Sequence, residues 1–200
     1  MSGVMRDFVD FLLEKSFLYK RSTRCDPRLI DAALEATLAD ARWRYPRLTA
    51  EAVIRNIQAN GGYLPVFLHR LGRPIFLKDA SDPLVEVVHG VMRECCSCEI
   101  YFSTEIGVGF EVVHGVGTVI GSRNRIGEGF RIFQGCTVGH KKDGGEPGAV
   151  IGARVTLWAH SSILGAITIG DDAVIGAHSM VLADVPARGV AAGIPARLIR

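Results

Sequence analysis

The stretch VIGSRNRIGEGFRI, residues 119–132, contains the repeat that decides the fold. Its aliphatic residues Ile120, Ile126 and Ile132 recur every six positions, a period that neither an α-helix nor a simple alternating strand produces. The same spacing continues on both sides of this stretch, at Ile100, Ile106, Val112, Val138, Ile151, Leu157, Ile163, Ile169, Ile175 and Val181. A repeat of this length predicts a solenoid of short strands in which each of these residues faces the core.

Glycine directly follows seven of these aliphatic residues, at Gly107, Gly121, Gly127, Gly139, Gly152, Gly170 and Gly176. We expect these glycines to lie at corners of the solenoid and to adopt unusual backbone angles there. The spacing of six is broken twice, by a step of eight between Val112 and Ile120 and by a step of thirteen between Val138 and Ile151. The longer step predicts an external loop that contains residues 140–147.

The first half of the chain has a helical pattern of apolar residues instead. Predicted helices cover residues 7–19, 26–46, 49–57, 64–71 and 82–94, and Gly61-Gly62 and Gly72 are expected to end two of them. Asp26-Pro27 and Asp82-Pro83 each place an N-cap residue before a proline that suits the first helical position. We therefore predict an α+β chain with a helical domain over residues 1–97, without chemistry of its own, and a parallel β-helix of hexapeptide repeats over residues 98–200.

Composition excludes several classes of protein. The 200 residues are 48% hydrophobic and 22% charged, which is typical of a soluble globular chain and not of a disordered one. The net charge of +2 lacks the basic excess of a nucleic-acid-binding protein. We find no apolar run of about 18 residues that would span a membrane and no signal peptide. Five cysteines, three of them crowded at residues 95–98, indicate a reduced, cytoplasmic chain.

The second half resembles the hexapeptide-repeat acyltransferases, and most closely the serine acetyltransferases. The matching stretches are Glu99-Ile100, His114-Gly115, Val119-Ile120-Gly121, residues 134–139 (QGCTVG), Ile163-Leu164-Gly165 and Gly193-Ile194-Pro195-Ala196-Arg197. The resemblance covers about residues 85–200. It implies a left-handed β-helix, a homotrimer or a multiple of it, and acetyl-CoA as the co-substrate without a metal. It also implies binding to cysteine synthase through a C-terminal tail, which we do not expect here because the sequence stops at Leu198-Ile199-Arg200.

His114 is the leading candidate for the catalytic base. It lies in the first break of the repeat, where a side chain can leave the wall of the solenoid. Imidazole titrates near neutral pH and can take the proton of an acceptor hydroxyl during direct transfer from a thioester. The resemblance assigns Glu99, fifteen residues earlier, as the carboxylate that orients this imidazole. From the residues alone, an exposed histidine beside a solvated glutamate is an equal alternative.

The acceptor is inferred from what the loop lacks. The resemblance implies an aspartate before the base histidine and an Arg-His pair in the loop, but this chain has Val113 and, after Gly145, Glu146-Pro147-Gly148. A carboxylate bound without a cation is costly, and Glu146 would repel it. We therefore predict a sugar or glycan hydroxyl, as in polysaccharide O-acetyltransferases, as the acceptor. Serine, the acceptor in cysteine biosynthesis, is the alternative.

Other residues are assigned to the two substrates. The resemblance places the pantetheine arm of coenzyme A against the backbone of Gly139 and Ala159. Its phosphates need cations, for which Lys141, Lys142 and Arg197 are the candidates. In the loop, His140 and Glu146 are the candidate acceptor contacts.

Three further features have structural interpretations. His160 and His178 are 18 residues apart, one full coil of three repeats, and should stack on one edge. Cys136 should face the wall of the solenoid and pack there. Cys95-x-x-Cys98 is a weak metal motif without a second pair. A γ-carbonic-anhydrase-like metal hydratase is the minor alternative from another class, although the histidine spacing of that family has no match here.

Overall fold

The computed structural model describes residues 2–15, 25–142 and 145–200. In these ranges helices come first, and their bounds are α1 Ser2–Lys15, α2 Pro27–Arg44, α3 Ala50–Gln58, α4 Tyr63–Lys78 and α5 Pro83–Cys96. The strands that follow are β1 Glu99–Ile100, β2 Glu105–Ile106, β3 Glu111–Val112, β4 Val119–Ile120, β5 Arg125–Ile126, β6 Arg131–Ile132, β7 Thr137–Gly139, β8 Val150–Ile151, β9 Thr156–Leu157, β10 Ser162–Leu164, β11 Thr168–Ile169, β12 Val174–Ile175, β13 Met180–Val181, β14 Val190–Gly193 and β15 Ala196–Leu198. None of the described helices is long and apolar enough to cross a bilayer.

The strands form the predicted left-handed parallel β-helix. Strands that lie three apart along the chain pair with each other, except at the C-terminal end, where β14 pairs with β12 and β15 with β14. The result is a five-stranded sheet (β1-β4-β7-β10-β13), a four-stranded sheet (β2-β5-β8-β11) and a six-stranded sheet (β3-β6-β9-β12-β14-β15). All of these pairings are parallel except β14–β15. The thirteen aliphatic residues of the repeat are all buried, with at most 5% of their surface exposed. The prediction that they face the core is confirmed.

The seven glycines that follow these residues have a different role from the one expected. None of them has a positive φ. Four of them, Gly107, Gly127, Gly152 and Gly170, are needed because the backbone of the next coil leaves no room for a Cβ at these corners. A Cβ on Gly127 would lie 2.7 Å from the carbonyl carbon of Gly152, and one on Gly170 would lie 2.3 Å from the amide nitrogen of Ala187. The expectation of unusual backbone angles is therefore wrong, and at these four positions the constraint is the lack of space.

The helices begin where capping residues predict. Asp26, Thr49 and Asp82 accept hydrogen bonds from the first turns of α2, α3 and α5. Gly72 does not end α4, which continues to Lys78. A Cβ at Gly72 would lie 2.2 Å from the ring of Phe102, so the position requires a glycine for packing. This glycine allows close packing on the first coil and does not terminate the helix. Residues 16–19 of the first predicted helix and residues 143–144 of the loop lie outside the described ranges.

Side chains of α4 cap the open edge of the first coil. That edge has no neighbouring coil, so its backbone groups need other partners. Arg73 donates a hydrogen bond of 2.7 Å to the carbonyl oxygen of Phe102. Arg70 donates bonds of 2.7 Å to the carbonyl oxygens of Ile106 and Gly107. The helices therefore end the β-helix as well as pack against it.

Asp40 of α2 completes this cap. Its side chain is fully buried and forms a two-pronged ion pair with Arg70, with two N–O distances of 2.8 Å. Its Oδ1 atom also accepts hydrogen bonds from the backbone amides of Gly109, at 2.8 Å, and Phe110, at 3.2 Å. One carboxylate thus holds α2, α4 and the first coil together.

His69 is a further buried group at the same edge. Its Nε2 atom lies 3.3 Å from the carbonyl oxygen of Thr104, and no hydrogen bond to its Nδ1 atom is present among the described residues. Burial lowers the pKa of His69 to about 3, and the nearby charge of Arg70 acts in the same direction. The ring is therefore neutral in the folded protein at neutral pH.

Candidate functional site

His114 lines a cleft of about 340 Å³ between the helices and the first coil. The helical side contributes residues from the α3–α4 junction and from the end of α5, and the coil contributes the turn after β3. The lining residues are Asn60, Gly61, Gly62, Pro65, Cys95, Cys96, Ser97, Val113, His114, Gly115 and Val116. The cleft places an imidazole at the wall of a partly enclosed space.

The longer first coil explains the position of His114. Val119 aligns with Glu99, a step of 20 residues, whereas the next step along this sheet, from Val119 to Thr137, is 18. The extra residues form a turn between β3 and β4 in which Gly117, with a φ of +73°, donates a hydrogen bond of 2.8 Å to the carbonyl oxygen of Ser97. His114 is exposed, and its ring centre lies 6.4 Å from that of Phe133 in an edge-on orientation.

Glu99 does not contact His114 in this structure. Its Oε1 atom lies 3.1 Å from Nη1 of Arg93 and 3.7 Å from Nε2 of His89, both on α5. Burial lowers the pKa of His89, although the charge of Glu99 opposes this shift. Among the described residues no hydrogen bond joins Glu99 to His114, and the carboxylate is paired with Arg93 instead. The role of Glu99 in orienting the base stays a prediction.

The candidate residues for coenzyme A lie at two corners of the β-helix. Gly139 ends β7, and near it Lys141 donates a hydrogen bond of 2.7 Å to the carbonyl oxygen of Leu182, two coils further on. Ala159 lies in the turn between β9 and β10, at the corner that carries His114 two coils earlier. Within one chain, Gly139 and Ala159 therefore lie at different corners of the β-helix.

Lys142 and Arg197 are exposed. Arg197 lies in β15 at the last edge of the six-stranded sheet, and its Nη1 atom contacts only the neighbouring carbonyl oxygen of Ala196 within the described residues. The structure does not bring either cation next to His114. Their assignment to the phosphates of coenzyme A is untested by this geometry.

The loop residues lie at the corner of Gly139. His140 packs at the base of the loop with its Nε2 atom 3.0 Å from the carbonyl oxygen of Ser122. Arg123, which the sequence analysis did not weigh, donates a hydrogen bond of 2.9 Å to the backbone carbonyl of Glu146. One terminal nitrogen of Arg123 lies 3.5 Å from His140. His140 and Glu146 are thus near each other, and they lie at a different corner from His114.

The helical half of the cleft does not follow from the sequence pattern. Asn60, Gly62 and Ser97 line the cleft, and the expectation that the helical domain has no chemistry of its own stays a prediction. The signal in the sequence is the Gly61-Gly62 pair, which by itself predicts only a helix end. A Cβ at Gly62 would lie 2.2 Å from the carbonyl oxygen of Val112, so this glycine lets α4 approach the turn of His114.

Two smaller predictions are confirmed. The rings of His160 and His178 stack with their centres 4.9 Å apart and an angle of 15° between their planes. Cys136 is fully buried in the wall. Among residues 2–15, 25–142 and 145–200, no group of three or more His, Cys, Asp or Glu side chains could hold a metal ion.

Comparisons with known proteins agree with this architecture. The family described as "Bacterial transferase hexapeptide (six repeats)" matches residues 148–183. A serine acetyltransferase of Bacillus pumilus is 33% identical over 151 residues, which cover 75% of this chain and 69% of the relative. Soybean serine acetyltransferase, solved in complex with serine, superposes with a TM-score of 0.76 and 32% identity over 98% of this chain and 84% of its own.

A serine acetyltransferase solved in complex with CoA superposes with a TM-score of 0.70 and 26% identity, over 87% of this chain and 70% of that protein. These relatives favour the alternative acceptor, serine, over the sugar hydroxyl that the sequence analysis placed first. The repeat, the cleft at His114 and the extent of the similarity lead to one conclusion. The chain belongs to the serine acetyltransferase family of hexapeptide-repeat acyltransferases.

Proposed function

We propose that this protein transfers the acetyl group of acetyl-CoA to the hydroxyl of L-serine. The observation that carries the proposal is the exposed imidazole of His114 in a 340 Å³ cleft, in a chain whose relatives are serine acetyltransferases. Solved members of the family carry serine or CoA in their complexes. A cleft of this volume accommodates serine together with the acetyl thioester.

The reaction follows from the position of one base. His114 accepts the proton of the serine hydroxyl while the hydroxyl oxygen forms a bond to the thioester carbonyl carbon. The carbon–sulfur bond then breaks, and the imidazolium returns its proton to the departing thiolate. A general base whose pKa lies near the working pH can both take up the hydroxyl proton and release it to the thiolate. Transfer is direct in this proposal. Burial raises the pKa of the Cys95 thiol, and a hydrogen bond with Cys98 together with burial raises that of Cys96, so the two thiols that line the cleft are poor nucleophiles at neutral pH. Cys136 is fully buried in the wall.

The donor residues support a site between copies of the chain. Gly139 and Lys141 lie at one corner, and Ala159 lies at another. An extended pantetheine arm contacts both sets when two β-helices lie side by side, so that one copy supplies each corner. A homotrimer provides three such grooves, and Lys142 and Arg197 are the remaining cations for the phosphates. The trimer, a cytoplasmic location and the division into two domains are part of the proposal.

A sugar hydroxyl is the second candidate acceptor, and a specific observation favours it. Val113 lines the cleft directly before His114, and the loop carries Pro147 and Gly148, so none of these positions offers a charge to a zwitterion. A neutral sugar would need no such partner.

The test is release of free thiol from acetyl-CoA with L-serine and with a panel of neutral sugars and oligosaccharides. We expect L-serine to give the highest kcat/KM. The His114→Ala variant is the inactive control, and Arg125→Gln, an exposed residue of β5, is the active one. A sugar with a higher kcat/KM than L-serine would overturn the proposal and support the second candidate.

A further inference from the structure

A second cleft adjoins the one that contains His114. It has a volume of about 220 Å³ and shares Gly62 and Val113 with the first cleft. Its lining residues are Tyr45, Asn56, Gly62, Tyr63, Glu111, Val112, Val113 and Arg131. An acceptor held at His114 can therefore extend into a polar space formed by the helices and the six-stranded sheet.

Glu111 and Arg131 line the second cleft, and together with Arg44, which contacts Glu111 from outside the lining, they form a cluster with an excess of positive charge. The carboxylate of Glu111 lies between two guanidinium groups, with Oε2 2.8 Å from Nε of Arg44 and 2.8 Å from Nε of Arg131. Its other oxygen accepts a hydrogen bond of 3.0 Å from the hydroxyl of Tyr45. Two cations and one anion leave a net charge of +1. A second carboxylate would balance it.

Arg131 retains its hydrogen-bonding capacity. Its Nε atom is buried, and its contact with Glu111 is close but lacks hydrogen-bond geometry. In the part of the chain that the structure describes, the backbone amide of Arg131 bonds to the carbonyl oxygen of Val155, but its guanidinium has no polar partner besides the ion pair with Glu111. A guanidinium has five N–H donors in a planar fork that matches a carboxylate, and leaving them without acceptors in a partly buried site is unfavourable. An incoming carboxylate would supply those acceptors.

Arg131 and the base, His114, both lie close to the ring of Phe133. Its guanidinium carbon lies 5.0 Å from the ring centre of Phe133, and that ring lies 6.4 Å from the ring of His114. Phe133 therefore separates a cation from an imidazole by the thickness of one side chain. A small hydroxy acid can place its hydroxyl at His114 and its carboxylate toward Arg131.

We infer that Arg131 binds the carboxylate of the acceptor and so determines its specificity. The inference rests on the proposed function, because L-serine is the hydroxy acid that the family favours. The shared chemistry is a carboxylate a few ångströms from the acetylated hydroxyl, which a uronic acid also offers. Glu111 contacts the guanidinium directly, and Arg44 pairs with the same carboxylate, so that the three side chains together carry a charge of +1.

The first experiment compares L-serine with serinamide, which has the same hydroxyl and amine but no carboxylate. For Arg131→Gln we expect KM for L-serine to rise roughly 10- to 100-fold, the effect of losing charge-assisted hydrogen bonds. KM for serinamide and KM for acetyl-CoA should change less than about twofold, since neither depends on this carboxylate contact. Arg125→Gln, which removes an exposed arginine from the four-stranded sheet, is the matched control.

The second experiment uses a substitution with the opposite expected sign. Glu111→Gln removes the competing negative charge while it keeps the size of the side chain, so KM for L-serine should fall. A role of this cluster in stability alone would raise KM for serinamide and L-serine together in both variants. A circular-dichroism melt of each variant shows whether it is folded.

The outcomes separate the inference from the proposed function. Activity of the wild-type protein on L-serine with an unchanged KM in folded Arg131→Gln would refute the inference and leave the proposed function standing. Activity on glucuronate but not on serine, with the same dependence on Arg131, would refute serine as the acceptor and support the inference. Activity on neutral sugars alone would refute both.

Discussion

Replacing Asp40 by alanine is expected to lower the free energy of unfolding by about 4 kcal/mol. The carboxylate is fully buried, and its partner Arg70 is only 14% exposed. Removing one member of a buried ion pair costs roughly 3–5 kcal/mol, and each buried amide that loses its acceptor adds about 1–3 kcal/mol. Because Arg70 keeps its bonds to two backbone carbonyls, the total stays below the sum of these effects. Urea denaturation followed by circular dichroism at neutral pH measures the loss.

Two further variants make this measurement specific. Asp40→Asn keeps an oxygen acceptor for the amides of Gly109 and Phe110 but loses the charge, so about half of the loss is expected. Asp31→Ala breaks an ion pair with Arg6 in which both side chains are about 40% exposed, and it should cost no more than about 1 kcal/mol. A loss below about 1 kcal/mol for Asp40→Ala would refute the view that this carboxylate fastens the helices to the first coil.

Three other predictions address the site and the core. His114→Ala should lower kcat by roughly 10²- to 10⁴-fold in the thiol-release assay, and wild-type turnover in this variant would exclude His114 as the base. Glu99→Gln should cause a smaller loss of kcat without changing the affinity for acetyl-CoA, whereas weakened acetyl-CoA binding would indicate a role in the donor site. Because the folded-state pKa of His69, about 3, lies below its unfolded value of 6.5, its stabilisation is complete above pH 6.5 and falls as the pH drops toward 3, by about 1.4 kcal/mol per pH unit. His69→Gln should remove this part of the pH dependence in urea titrations, and an unchanged slope would contradict it.

The repeat could be predicted from the sequence because a local rule generates it. A residue such as Ile126 faces inward whenever the chain turns every six residues, and its burial requires no knowledge of distant contacts. The same rule located His114, since a break in the repeat marks a turn that leaves the wall. Capping at Asp26 and Thr49 was predictable for the same reason, because an N-cap depends on residues two or three positions away.

What could not be predicted depends on packing between distant segments. The end of α4 was misplaced because Gly72 is required by the ring of Phe102, thirty residues away, and not by a helix terminus. Glu99 was expected beside His114, but its partner Arg93 is brought close only when α5 docks on β1. The charges around Glu111 come from α2 and from two coils of the sheet, so no single motif reveals them.

The cap that α2 and α4 place on the first coil has a consequence for how this protein can change. The hexapeptide repeat constrains residues every six positions, and substitutions there disturb a wall that the donor must recognise. The helices are free of that period, yet Gly62 lines the cleft of the base, Tyr63 lines the adjoining cleft, and Arg44 contacts Glu111 there. Acceptor preference can therefore evolve through the helical segment while the repeat, and with it the ability to use the same thioester, is inherited unchanged.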